Sequence, residues 1–235
     1  MKKIALLLSL LSCTTAFGQL FSPAYDLFSN KETAYIYLED GNTMEGIVSS
    51  VNQKNGLIQS LMLTPNGEAK KMKVKADDIY AMYLPISNFS KVNNAINLTF
   101  DPRKWRGKGV NNEVIQQGYA YFEKTKVTTN GKIDDLLVQL LNPTFSEKIK
   151  VYHNPLGVST RSMEFKNGFA IEDDINKSYF VKVGDATAIK LKKKDYDDAY
   201  AVLYKDCPQL VEKLKGNHRW NKFDEHLHAY TNNCK

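Results

Sequence analysis

Residues 33–51 read TAYIYLEDGNTMEGIVSSV. Thr33 to Leu38 is rich in aromatic and β-branched side chains, which favour a pleated, half-buried surface. Glu39-Asp40-Gly41-Asn42 is a turn signal, because Gly and Asn tolerate the left-handed backbone that a tight hairpin needs. Thr43 to Val51 returns as a second strand, with Gly46 inside it. A hairpin therefore opens the body of the chain, and the signals that follow repeat the pattern. Leu61 to Thr64 runs into Pro65-Asn66-Gly67. Lys70 to Val74 alternates lysine with Met72 and Val74, and Ile79 to Leu84 closes the series. Short strands at this spacing predict a small curled sheet or SH3-like barrel over residues 33–85.

Residues 86–117 are irregular and read as a connection, with one strand expected at Ile96 to Phe100. Strand signals resume at Gly118 to Lys124, Asp135 to Leu141, Lys148 to Tyr152 and Arg161 to Phe165. They end in a hairpin, Ser178 to Val183 and Ala186 to Leu191, joined at Gly184-Asp185. Residues 118–193 form the second β unit, and 194–235 a helical tail. A run of strands followed by helices predicts an α+β fold, mostly antiparallel.

Residues 1–18 read as a secretory leader. Lys2 and Lys3 precede an apolar run from Ile4 to Leu11, and Ala16-Phe17-Gly18 supplies the small residues of a cleavage site. The apolar run is too short for a membrane span. A variant reading takes Leu10-Leu11-Ser12-Cys13 as a lipobox, with Cys13 lipidated; the bulk of Leu11 favours release over the anchor. Residues 19–32 then form an N-terminal lead. The expected location is periplasmic or extracellular. No later stretch predicts a transmembrane segment. The whole chain is 43% hydrophobic and 25% charged, an ordinary globular balance. Its net charge is +6, and the leader carries two of the lysines and no acid, so the mature chain is only mildly basic. That balance does not imply a nucleic-acid partner.

Export leaves two cysteines, Cys207 and Cys234. Lys194 to Lys205 reads as a helix with Tyr196, Ala199, Tyr200, Leu203 and Tyr204 near one face. Pro208 suits the first position of a second helix, capped by Cys207 or Asp206. Gly216-Asn217 stops it, and a third helix runs from about Asn221 to Tyr230. A hairpin of the last two helices brings Cys207 beside Cys234. The expected disulfide closes a loop of 28 residues, worth about 3–4 kcal/mol in the chain-entropy model. Free thiols and a metal site with His218, His226 and His228 are the alternatives. His226 and His228 are two apart and point away from each other on a helix, and neither cysteine has a zinc-finger partner.

Tyr179, Phe180, Lys193, Tyr196, Asp206-Cys207-Pro208, Leu210, Tyr230 and Asn233-Cys234 together resemble the ending of uncharacterised exported β-rich proteins of Gram-negative bacteria. Thr231-Asn232 is an insertion relative to that pattern. The resemblance covers about the last quarter of the chain and implies a shared structural ending, with no activity attached.

Candidates for chemistry are sparse. Asp77-Asp78, Asp134-Asp135, Asp173-Asp174 and Asp197-Asp198 are acidic pairs, and two carboxylates about 5–10 Å apart could hydrolyse a glycosidic bond. Solvated turns or helix starts are the plainer reading. No P-loop, dinucleotide fingerprint, HExxH or nucleophile elbow occurs, so no cofactor and no catalytic residue is assigned. Asp101 to Gly109 gathers Arg103, Lys104, Arg106 and Lys108 around Trp105. Such a loop could touch an envelope protein or an anionic glycan. The plainer reading, which takes precedence, folds Trp105 onto the sheet and leaves the cations wet. Trp220 is expected to pack the helix hairpin. The expectation is a non-enzymatic structural or interaction protein of the bacterial cell envelope. A glycan or peptide hydrolase and a small-ligand or lipid carrier are the alternatives.

Overall fold

The computed structural model describes residues 20–87, 109–129, 131–155, 165–166, 169–170 and 178–234. It is an α+β fold: one large, mostly antiparallel sheet with a helical tail. The leader expected at residues 1–18, with Cys13, lies outside the described residues. So do Arg103, Lys104, Trp105, Arg106 and Lys108, the strand expected at Ile96 to Phe100, and Asp173-Asp174. No helix among the described residues is long and apolar enough to cross a membrane.

The first hairpin forms where the residues predict it. Strands β1 (Thr33–Leu38) and β2 (Thr43–Lys54) pair antiparallel. In the turn, Gly41 has φ 84° and the Asp40 carboxylate accepts the Asn42 N–H at 2.8 Å. β2 runs three residues further than expected and returns through Asn55-Gly56 into β3 (Leu57–Pro65). Both turn residues have positive φ, 53° and 76°, as the tight hairpin turn favoured by Asn-Gly requires. The ladder is bulged twice, at Ser49 in β2 and at Gln59 in β3. At Gly46 a Cβ would collide with the backbone of Thr64, so only glycine lets β3 approach there. β4 (Met72–Lys75) is the outer edge, with Val74 buried. Met72 does not share that burial: it is 40% exposed. Exposed Lys73 and Lys75 flank Val74 on this edge, where lysine discourages further strand pairing. A 3-10 turn, Ala76–Asp78, leads into β5 (Ile79–Pro85), which returns beside β1.

A short helix α1 (Asn112–Gln116), capped by the Asn111 carboxamide, precedes β6 (Tyr119–Thr129). β6 pairs with β5 through its first half and with β12 (Ala188–Lys192), in parallel, near its end. Its other edge is covered by β7 (Lys132–Gln139). Its two faces serve different cores. Ala120 and Phe122 pack with Ile36, Leu61, Leu63 and Met82 of the first unit. Tyr121 and Val127 pack with Tyr152, Phe180 and Ala188 of the second.

The second unit closes on itself. β12 pairs with β11 (Ser178–Val183), and β11 with β8 (Ile149–His153). β8 meets the residues just after β7: Leu140 bridges Tyr152, and Leu141 N–H donates to the Val151 carbonyl at 2.8 Å. The ladder thus returns through β7 to β6. Asn142, fully buried, fastens this seam. Its Oδ1 accepts the Val151 N–H at 2.8 Å, and its Nδ2 donates to the Ile149 and Phe145 carbonyls at 2.8 and 3.0 Å. β9 (Phe165–Lys166) and β10 (Phe169–Ala170) pair separately. Of the strand expected at Arg161 to Phe165, only Phe165 is among the described residues, in β9, and β12 begins two residues later than expected.

The outer face of β8, β11 and β12 is covered by the tail. Helices α2 (Tyr196–Leu203), α3 (Pro208–Leu214) and α4 (Phe223–Asn233) bury Tyr196, Leu210, Phe223, Leu227 and Tyr230 against Ile149, Val151, Val181 and Leu191. Pro208 opens α3, although the Cys207 side chain makes no capping bond. Gly216, at φ 72°, ends the turn after α3. A 3-10 turn, Trp220–Lys222, precedes α4, and Trp220 stacks on Phe223. Cys207 and Cys234 form a buried disulfide with Cα atoms 5.6 Å apart. That excludes their sulfurs as free thiols or metal ligands. Phe21 from the N-terminal lead enters the same core against Phe145, Tyr179 and Phe223.

Two outcomes follow from buried polar groups. Replacing Asn142 with Ala orphans three buried backbone groups, and the expected loss in urea unfolding is about 2–4 kcal/mol. His226 is buried, and its Nδ1 lies 2.7 Å from the Tyr196 hydroxyl. Burial lowers its pKa from 6.5 to about 4. Above pH 6.5 neither folded nor unfolded chain binds this proton. As pH falls from 6.5 to about 4, the unfolded chain takes it up first, so stability declines by at most about 1.4 kcal/mol per pH unit. Unfolding midpoints across that interval should fall in the parent protein, and this component should vanish in His226→Gln.

Candidate functional site

Tyr35 and Tyr37 lie on one face of β1, Tyr83 on β5 and Tyr121 on β6, because strand side chains alternate with period two. Tyr83 pairs across the sheet with both Tyr35 and Tyr121. The Tyr83 and Tyr121 ring centroids are 4.9 Å apart, and Tyr37 meets Tyr83 edge-on at 6.2 Å. These rings form the wall of a cavity of about 410 Å³ at the junction of the two β units. That size falls in the range of small-ligand sites. Tyr80 stands at its rim, 47% exposed. The first hairpin turn contributes Glu39, Gly41 and Asn42, and Gly109 lies across from it.

Glu123 and Lys150 complete the lining. Glu123 follows Tyr121 on the same face of β6 and is 7% exposed. Lys150 approaches both of its carboxylate oxygens, at 2.7 and 3.0 Å. Tyr152 donates to one oxygen at 2.5 Å and Tyr121 to the other at 3.2 Å. A carboxylate has about four acceptor positions, and these four contacts use them. Glu39, at the rim, is held by Lys124 at 2.8 Å. The described acids lining the cavity, Glu39 and Glu123, are thus each matched with a lysine.

The phenols are held neutral. Burial raises Tyr37 to about 12, with the Glu45 charge adding to it. Burial likewise raises Tyr83, Tyr121 and Tyr152, and the Glu123 charge pushes the last two further. Tyr83 accepts the Asn111 N–H at 2.7 Å, which fixes its hydroxyl beside Tyr121.

The described residues expected to carry chemistry lie elsewhere. Asp77-Asp78 occupies the 3-10 turn before β5. On β7, Asp134 accepts from Thr129, and Asp135 faces Lys126. Asp197-Asp198 is the first turn of α2, with Asp197 3.3 Å from His218. These described pairs do not converge. His218 stacks on Tyr200, His226 bonds Tyr196, and His228 abuts Phe145, so the three histidines do not share a centre. In the second unit Val127, Leu140, Tyr152, Phe180 and Ala188 pack together in one buried cluster. Sequence reasoning missed Glu123 and Lys150. The available signal was the acid next to the end of GYAYFEK, on the same alternating face as Tyr119 and Tyr121.

Comparisons with protein-family models, with curated proteins and with solved structures found no match.

Removing Glu123 leaves Lys150 without its partner and two buried hydroxyls without an acceptor. Glu123→Ala should destabilise by about 2–3 kcal/mol, less than for a fully buried pair because Lys150 is 30% exposed. Adding Lys150→Met should recover part of that loss in a double-mutant cycle. An additive loss would mean that the two side chains are not coupled.

Proposed function

We propose that the protein is exported and works at the bacterial cell envelope as a non-enzymatic interaction protein, with the tyrosine cavity as its binding site. The leader-like pattern of residues 1–18 supports export. So does the Cys207–Cys234 disulfide, a bond that persists in oxidising compartments. The observation that carries the binding reading is the state of Glu123. A general base needs an unoccupied lone pair aimed at its substrate. The Glu123 oxygens are instead taken up by Lys150, Tyr121 and Tyr152. Neutral phenols offer no nucleophile near pH 7. What remains is a preformed concave surface with aromatic walls and placed hydroxyls, which suits recognition.

The test is affinity capture. Immobilised mature protein is incubated with envelope fractions, untreated or protease-digested, and the retained protein and glycan are compared with those held by Tyr80→Ala. Tyr80 is at the rim, so its truncation leaves the core intact. The expected result is a retained component that Tyr80→Ala loses. Equal retention by both forms contradicts the cavity as the binding site.

A further inference from the structure

The cavity's hydrogen-bonding pattern narrows the chemistry of its ligand, and the inference rests on the binding reading above. We propose that the cavity takes a neutral, hydroxyl-rich ring: a carbohydrate residue. Three observations lead there.

The first is charge. Glu123 is paired with Lys150, and Glu39 with Lys124. Among the described residues lining this space, none offers an unpaired counter-charge, so a cationic or anionic ligand would be desolvated there without compensation, which is unfavourable. A neutral ligand avoids that cost.

The second is the placement of protons. Tyr121 donates its hydrogen to Glu123, so its oxygen faces the cavity as an acceptor. Tyr83 accepts the Asn111 N–H, and no described residue is seen to accept the hydrogen of Tyr83 itself. Tyr83 is therefore a donor beside an acceptor, on rings whose centroids are 4.9 Å apart. A hydroxyl group donates and accepts at once and answers both. An ammonium group only donates, and a carboxylate only accepts.

The third is shape. Tyr37, Tyr80, Tyr83 and Tyr121 supply aromatic surface to a concavity of about 410 Å³. A compact ring with an apolar C–H face fits such walls. An extended peptide is instead bound along an open sheet edge.

The experiment is saturation-transfer NMR on the mature, oxidised protein. The probes are methyl glucoside, methyl N-acetylglucosaminide, cyclohexylamine, cyclohexanecarboxylate and N-acetyl-dialanine amide. The glycosides are expected to receive saturation from the protein. Tyr83→Phe, which removes one hydroxyl and keeps the ring, should weaken them about three- to tenfold. Tyr80→Ala, which does not touch the buried core, should also weaken them and serves if Tyr83→Phe folds poorly. Absence of a glycoside signal overturns the carbohydrate assignment. So does a glycoside signal that neither variant changes, and so does preference for either charged ring or for the dipeptide. A charged ring or dipeptide lost in Tyr80→Ala would overturn the assignment while leaving the binding reading in place. That reading stands or falls separately on the envelope capture.

Discussion

A strand buried on both faces has no wet side to which a polar residue can turn. β6 is such a strand over Ala120 to Glu123. Its even residues belong to the first β unit's core, Tyr121 to a second core shared by Tyr37 and Tyr83 with Tyr152 and Phe180, and both of its edges are hydrogen-bonded. The one carboxylate in that stretch, Glu123, is left only 7% exposed. Burying it alone would be expensive. Lys150 and Tyr152 from β8, with Tyr121 from β6 itself, satisfy it. The same requirement fixes the spacing of β8 from β6 and places phenols around the cavity. The cavity's polar lining thus follows from solving a burial problem in the shared wall.

The tail and the N-terminal lead brace that wall from outside. Helices α2 to α4 cover the second unit, and the disulfide ties the start of α3 to the end of α4. Phe21 enters the tail's aromatic core, while Gln139, just after the shared stretch in space, exchanges hydrogen bonds with Pro23 and Tyr25. Further along, Ser29 N–H donates to the Pro85 carbonyl at the end of β5. One continuous segment therefore touches both β units. Lys148 adds a contact to the tail, stacking over Tyr230 and donating to the Cys234 carbonyl.

Much of the fold was legible because local rules were strong. TAYIYL with its Asp-Gly turn, SYFVKV before Gly184, and the Cys-Pro start of α3 each point to one structure. The Asn55-Gly56 turn was legible in principle but is flanked by polar residues, Asn52 to Lys54 and Gln59, which hide the long hairpin. β6 gives no alternation because both faces are apolar, so its role as a shared wall leaves little trace in pattern. The cavity was not legible at all. Its parts come from β1, β5, β6 and β8, and only the register of four strands brings Tyr37, Tyr83, Glu123 and Lys150 together. The acidic pairs drew attention for their local density, yet each described pair is accounted for by a turn, a strand partner or a helix start.

Native-state hydrogen exchange, followed across a denaturant series, tests the shared wall most directly. If β6 joins the two β units into one cooperative body, amides in the β5–β6 ladder and in the β6–β12 and β11–β12 ladders exchange through a single opening, with one free energy and one denaturant dependence. Two separate classes, with the first unit's ladders opening while the second unit's stay closed, would contradict it.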